Sequence, residues 1–388
     1  MGQARTIYLN NAATTWPKPE CVYAAVDQTL RQCGSPRRDS RGGPDPVAEA
    51  RHELGELLGA PDEARLVITP GCTYALNLAI LGLPWEAGDV AIMSGLEHHA
   101  VSRPIRKAAR EFGIRFEVAP YSLEAPVDLA FVEETLKKGD VRLVACSMAS
   151  NVTGQILPYG EMVRLAHKYG ALCLLDAAQL AGVVPMNIGE LGADLVAFAG
   201  HKALMGPPGV GGLWIGPAAQ LRTLAEGGTG GDSGTHAMSG APPKDYEVGT
   251  LNGPAIAGLG AGVRWIREVG IDAIHARESA LTGRLINGLG SMDGVTVHGP
   301  GADVDRTSVV SFTLDGVTPK EASERLCEGH GIVCRSGYHC APLAHETIGT
   351  HALGGTVRMS PGYFTTEAEI DAALEGVAQI VGRVAARG

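Results

Sequence analysis

Residues 195–202 read Leu195-Val196-Ala197-Phe198-Ala199-Gly200-His201-Lys202, an apolar run that breaks on a glycine and delivers a histidine and a lysine. A short apolar run without polar alternation is what a strand needs when helices cover both faces of its sheet. The same texture recurs at Leu66-Val67-Ile68-Thr69, Val90-Ala91-Ile92-Met93, Leu143-Val144-Ala145-Cys146, Leu172-Cys173-Leu174-Leu175 and Val210-Gly211-Gly212-Leu213-Trp214-Ile215. Helical stretches lie between these runs. Asp45 before Pro46 reads as an N-cap and first-turn pair; Val47, Ala50, Leu54, Leu57 and Leu58 form one apolar stripe, and Gly59 ends it. Residues 128–138 before Gly139, and 159–169 before Gly170, repeat the pattern. Strand–helix alternation over residues 60–260 predicts a doubly wound α/β domain with a largely parallel sheet.

Past that region the texture changes. A longer helical pattern over 259–289 precedes a β segment at 309–314, a helix around 319–328 and a closing helix at 366–386, together a smaller α+β domain. Composition bounds the function. The 388 residues carry a formal charge of −10, and the densest basic run is the short Arg37-Arg38-Asp39-Ser40-Arg41, a poor basis for binding nucleic acid or an anionic membrane. Apolar runs stop well short of the roughly 20 residues a bilayer needs, and the N-terminus has no apolar signal core. Eight scattered cysteines without a CxxC pair match neither a disulfide framework nor a zinc ribbon. A soluble cytoplasmic protein with reduced thiols is the expectation, and no resident metal.

Three clusters carry candidate chemistry. Lys202 follows a strand end, where open α/β sheets bind ligands, and the glycines around it let other groups approach its amine. A surface lysine in a turn is the alternative, at even weight on this motif alone. Asp176, just past Leu172–Leu175 and 26 residues before Lys202, reads either as a helix N-cap or as the carboxylate that keeps a pyridinium nitrogen protonated. Gly71-Cys72-Thr73 opens a helical stretch and offers N–H groups and a hydroxyl to a phosphate, as many βα turns do. A phosphate seat, an aspartate and a lysine on successive strand ends together suggest pyridoxal 5'-phosphate.

From Tyr8-Leu9-Asn10-Asn11-Ala12-Ala13-Thr14 to the closing helix, the chain resembles the class V aminotransferase-fold family, in its cysteine desulfurase and selenocysteine lyase branch. The most specific segments are Gly200-His201-Lys202, Glu97-His98-His99-Ala100, Ser150-Asn151-Val152-Thr153-Gly154, Gly249-Thr250 and Arg335-Ser336-Gly337-Tyr338-His339-Cys340-Ala341. The resemblance implies fold type I of the pyridoxal-phosphate enzymes. Its large α/β domain would span 15–260, and a small α+β domain built from 1–14 and 261–388 would carry the catalytic cysteine loop. It implies that Lys202 binds the cofactor covalently and takes the substrate Cα proton. Asp176 would pair with the pyridine nitrogen and Gln179 with the phenolic oxygen. His98 would stack on the ring and shuttle protons; the role of His99 stays open. Cys72, Thr73 and His201 would surround the phosphate, with Thr250 reaching it from the second subunit of a homodimer. Asn151 would contact the ring oxygen and the substrate carboxylate, which Arg358 would clamp and Arg335 would approach.

Cys340 differs from Cys146 and Cys173, which sit in strand patterns as inert buried thiols. It lies in a polar, glycine-flanked segment beside Arg335 and His339, and positive neighbours enrich a thiolate. The family's matching residue accepts sulfur as a persulfide. The short form Arg-x-Gly-x-His-Cys-Ala resembles the second group of desulfurases and the selenocysteine lyases. The implied activity is removal of sulfur from L-cysteine to give L-alanine and a persulfide on Cys340 for an acceptor, which could be a protein. Rivals are a selenocysteine lyase acting on L-selenocysteine, another carbon–sulfur lyase and, least favoured, a non-catalytic sulfur-transfer partner. Two features depart from the family. Ala199 stands where a phosphate-binding serine or threonine is usual, removing a charge-assisted hydrogen bond of roughly 1.5–3 kcal/mol. Residues 345–351 form an unusual insert with two histidines and a glutamate, read as a solvated loop rather than a metal site.

Overall fold

The computed structural model describes residues 6–32, 45–229 and 236–385. The basic cluster 37–41 and residue 386 of the expected closing helix lie outside the described residues. A seven-stranded sheet forms in the order Leu66–Thr69, Gly211–Ile215, Leu195–Ala199, Leu172–Asp176, Val141–Ser147, Val90–Ser94 and Arg115–Ala119. Every neighbouring pair is parallel except the two made by Gly211–Ile215. Both faces are covered, which explains the unbroken apolar runs. Strand residues alternate between two cores: Ile92, Val144, Leu175, Val196 and Phe198 face one, while Ala91, Met93, Leu143, Leu174 and Ala197 face the other.

Helices Pro46–Leu58, Tyr159–Lys168 and Gly253–Val269 supply buried residues to the first core, Cys72–Leu81 and His99–Phe112 to the second. Asp45 caps its helix by accepting the Val47 N–H at 2.9 Å, and Gly59 ends it in the left-handed conformation at φ 62°. Gly212 is required sterically: a Cβ there would sit 2.2 Å from the Phe198 ring.

The smaller unit is a four-stranded antiparallel sheet, Arg335–Gly337, Thr356–Met359, Val310–Leu314 and Val295–His298. Helices Ile271–Gly290, Pro319–His330 and Glu367–Ala385 pack on it through Leu285, Leu326 and Val377. The helical pattern over 259–289 is two helices separated at Gly270, whose φ of 90° no other residue type adopts easily. Val263, Ile266 and Ile274 join the first core of the large sheet, and the small core begins at Leu281. The N-terminal segment closes the unit: Ile7–Tyr8 pairs in parallel with Ile332–Val333, Leu9 is fully buried, and Asn11 Nδ2 donates to the Ser360 carbonyl at 3.0 Å. No helix among the described residues is long and apolar enough to cross a membrane.

At the junction of the two units, Ser311 Oγ donates to the Val152 carbonyl at 2.6 Å and the Thr307 N–H to the Gly154 carbonyl at 2.9 Å. Glu278 is buried nearby, accepting from Ser308 Oγ at 2.9 Å. Burial pushes its carboxyl up to about 7, against the Ser308 hydroxyl and the Tyr363 backbone. Between the ordinary glutamate value and about pH 7, the folded protein therefore holds a proton that the unfolded chain has released, and stability falls as pH rises through that window. Glu278→Gln, which cannot ionise, should be more stable than wild type by about 1–3 kcal/mol at pH 8, and nearly equal to it at pH 4.5. Denaturant unfolding at the two pH values checks this; a difference independent of pH would refute it.

Candidate active site

The parallel register decides which side chains meet. Ser147 lies beside Asp176 and Asp176 beside Ala197, so the turns after these strands open at the same sheet edge. A cavity of about 370 Å³ sits there, at the junction with the small sheet. Of the predicted site residues, Cys72, Thr73, His98, Asn151, Asp176, Gln179, His201, Lys202, Arg335 and Arg358 line it. Thr250 does not; it is exposed, outside that cavity.

Asp176 forms part of the cavity wall. Its Oδ1 accepts the Ala178 N–H at 2.9 Å, as an N-cap aspartate would, and lies 3.6 Å from the Cys72 thiol. The cap-like bond is present, and the carboxylate also lines the cavity. Burial raises its pKa, while Lys202 opposes the rise. Lys202 follows Gly200, where a Cβ would lie 2.7 Å from the Val210 carbonyl. Burial lowers the pKa of its amine against the pull of Asp176, which favours the neutral nucleophile. Gln179 Nε2 donates to the Ala12 carbonyl at 3.1 Å, bringing the N-terminal segment over the cavity.

His98 caps helix His99–Phe112. Its Nδ1 accepts the Ala100 N–H at 3.0 Å, so the ring proton sits on Nε2. Burial, reinforced by the positive field of Lys202, lowers its pKa to about 3. The ring is neutral near pH 7 and suited to packing and donating; shuttling a proton would require freeing Nδ1 from its cap. Behind it lies a feature the sequence did not reveal. Fully buried Glu97 accepts from Ser94 Oγ at 2.6 Å, and from the Ser147 N–H and Oγ at 2.7 Å each. Burial raises its carboxyl to about 7. Ser147, which lines the cavity next to Asp176, was also missed; its place at the end of an apolar run is the signal that could have found it.

Two guanidinium groups face this cavity from paired strands, Arg335 opposite Arg358. Arg358 is buried, donating to the Asn151 carbonyl at 2.9 Å and to Asn10 Oδ1 at 3.3 Å, with its Nε unpartnered. Burial lowers its pKa to about 9. Neither arginine has a carboxylate partner among the described residues, an arrangement suited to an anionic ligand.

Arg335 Nη2 also points at Cys340 Sγ, 3.1 Å away. Cys340 borders a neighbouring groove that shares His98, Thr73 and Ala100 with the cavity. Its segment is anchored by two hydrogen bonds: the Asn151 amide donates to the His339 carbonyl, and the His99 N–H to the Cys340 carbonyl, each at 2.7 Å. His339 and Cys340 both have positive φ, 50° and 62°, at a cost of roughly 1 kcal/mol or more each for non-glycine residues.

The 345–351 insert is only partly the solvated loop expected: Glu346, Thr347, Gly349 and His351 are exposed, while His345 and Thr350 are buried. Its first residues end helix Pro342–Thr347, and His345 is fully buried, its Nδ1 sharing a 2.7 Å hydrogen bond with Thr350 Oγ1 and its ring 5.5 Å from that of His339. It buttresses the Cys340 turn, and no cluster of metal-ligating side chains occurs among the described residues. The thiols of Cys146 and Cys173 are buried, and burial raises their pKa, as inert cysteines require.

The aminotransferase class-V family model matches residues 7–373, and the chain belongs to that family. It is 33% identical over 96% of its length to a probable cysteine desulfurase of Mycolicibacterium paratuberculosis, of which it spans 55%. It is 31% identical over 97% of its length to a probable cysteine desulfurase of Methanothermobacter thermautotrophicus, spanning 95% of that protein. The apo structure of cysteine desulfurase from Thermococcus onnurineus superposes with a TM-score of 0.89 at 30% identity, covering 97% of this chain and 95% of that one.

Asp176→Asn keeps the shape of the cavity and removes its carboxylate charge. The variant should fold normally, yet retain cofactor more weakly and lose roughly a hundredfold in turnover, the size typical of losing one preorganised electrostatic partner. Absorbance of the bound cofactor after dialysis, read with steady-state rates, checks both effects.

Proposed function

We propose that this chain is a pyridoxal-phosphate-dependent L-cysteine desulfurase that releases L-alanine and leaves the sulfur on Cys340. One observation carries the reading: a lysine and an aspartate share a cavity with two uncompensated arginines, and one of those arginines also holds a cysteine thiol. The residues fit the cofactor. Helix Cys72–Leu81 begins at Gly71, with φ 139° and open space where a Cβ would be, a seat for a phosphate. Lys202 would hold the cofactor covalently, Asp176 its ring nitrogen, and Cys72, Thr73 and His201 its phosphate surroundings. Ala199 lines the same cavity with only a methyl group, so the helix start and backbone carry more of the phosphate's binding. When bound, pyridoxal phosphate supplies an electron sink for the substrate Cα.

The chain's own groups do the rest. Arg358, fixed by Asn10 and Asn151, orients the substrate carboxylate. Lys202, its amine favoured in the neutral form, takes the Cα proton. The thiolate of Cys340 attacks the substrate sulfur: the new bond is Sγ–S, the broken bond is Cβ–S, and the carbon-bound electron pair is protonated to give alanine. Arg335 keeps Sγ in place. The thiol, unneeded by a lyase that simply eliminates, favours desulfuration over the carbon–sulfur lyase alternative; selenocysteine, whose selenium leaves more readily, remains the second substrate to test.

Lys202→Ala should lose the cofactor's covalent absorbance and all turnover. Cys340→Ala should keep that absorbance and still respond spectrally to cysteine, but lose the protein persulfide and nearly all alanine formation. Equal alanine yield from wild type and Cys340→Ala would replace the desulfurase by an eliminating lyase.

The active unit we propose is a homodimer, with Thr250 brought to the phosphate by the second copy. Its exposure outside the cavity of its own chain supports this. Sedimentation should give a dimer, and Thr250→Ala should weaken cofactor retention; a fully active monomer at high dilution would contradict it. Free cysteines fit the cytoplasmic setting proposed for the chain.

A further inference from the structure

We propose that the groove at Cys340 is the docking face for a protein sulfur acceptor, recognised by an acidic segment next to the acceptor's cysteine. The inference rests on the desulfurase reading above. The groove, about 400 Å³, is lined at one end by Cys340 and His98 and along its length by His99, Arg103, Lys107 and Arg110. These last four lie on one stripe of helix His99–Phe112, separated by four, four and three residues. At about 1.5 Å per residue the stripe runs about 16 Å from His99, whose N–H bonds the Cys340 carbonyl, to Arg110.

In a chain with net charge −10 this face is anomalous. The helix carries Arg103, Arg106, Lys107 and Arg110 against a single acid, Glu111, which pairs with Lys107. Arg103, Arg106 and Arg110 have no carboxylate partner among the described residues, and Arg103 and Arg110 are exposed. His99 Nδ1 is buried without a partner beside the same groove.

Because its turn is bonded to Asn151 and His99, Cys340 meets its acceptor where it stands, at the end of the basic stripe. A small thiol would touch only that end. A charged row about 10 Å long, from Arg103 to Arg110, with the thiol beyond its end, needs a macromolecular partner to span it, and charge complementarity makes that partner acidic. Transfer balances as an exchange. The acceptor thiolate attacks the outer sulfur of the Cys340 persulfide; a new S–S bond forms on the acceptor, the bond to Sγ breaks, and Cys340 leaves as thiolate. No external oxidant or reductant is required.

The test uses the cofactor-loaded enzyme with cysteine and three acceptors: dithiothreitol, a glutamate-rich peptide with a single cysteine, and the same peptide with glutamine for glutamate. Persulfide transfer to the glutamate peptide should be faster than to the glutamine peptide by about tenfold or more at low salt, an advantage that high salt abolishes. The combined variant Arg103→Glu, Lys107→Glu, Arg110→Glu should lose that advantage while releasing alanine with dithiothreitol at the wild-type rate; Arg103→Ala alone should lose part of it. Equal transfer to both peptides by wild type would overturn the docking face. A change of oligomeric state in the combined variant would overturn it too, by assigning the face to a second copy of the chain. No alanine from cysteine with dithiothreitol would instead fail the desulfurase reading itself.

Discussion

Parallel pairing of buried strands is the constraint on which the chemistry depends. With Ser147 registered against Asp176 and Asp176 against Ala197, adjacent strands end at one edge and pass directly into the turns that carry Asn151, Gln179 and Lys202. A slip of one residue would turn Asp176 from the cavity toward the opposite, helix-covered face and set its carboxylate among apolar side chains. The two helix-covered cores make such slips costly, so the same burial that stabilises the sheet also positions the reactive groups.

Charge is the second constraint. Lys202, Arg335 and Arg358 converge on a cavity whose lining holds one carboxylate, Asp176. Burial pulls the lysine and Arg358 toward neutrality, and His98 is already neutral. Such a site gains most from ligands that bring negative charge to the helix start and to the arginines. Glu97 stays behind this surface, its oxygens filled by Ser94 and Ser147, bracing two strand ends without adding charge to the cavity wall.

Much of this was legible in the residues. Unbroken apolar runs announced a covered parallel sheet, and Lys202 and Asp176 stood out because strand ends in such sheets are where ligands bind. Asp45 and Gly59 marked their helix because capping is local chemistry. What escaped depended on distance along the chain. Nothing near Glu97 in sequence shows that Ser147 will complete its hydrogen bonds. Nothing in 345–351 shows that His345 will be buried against His339. The anchors of the Cys340 segment are just as remote, coming from Asn151 and the backbone of His99. The basic stripe was equally hidden, since its residues align only on a helix.

The first described residues are locked beneath nearly the last: Asn11 bonds to Ser360, Asn10 to Arg358, and Ile7–Tyr8 lies beside Ile332–Val333. In a chain made from its N-terminus, those partners emerge more than three hundred residues later. Contacts so far apart in sequence are slow to form and close last. Completion of the cavity is therefore tied to the meeting of residues 7–11 with 332–360, so its wall and the closure of the small unit depend on the same long-range contacts.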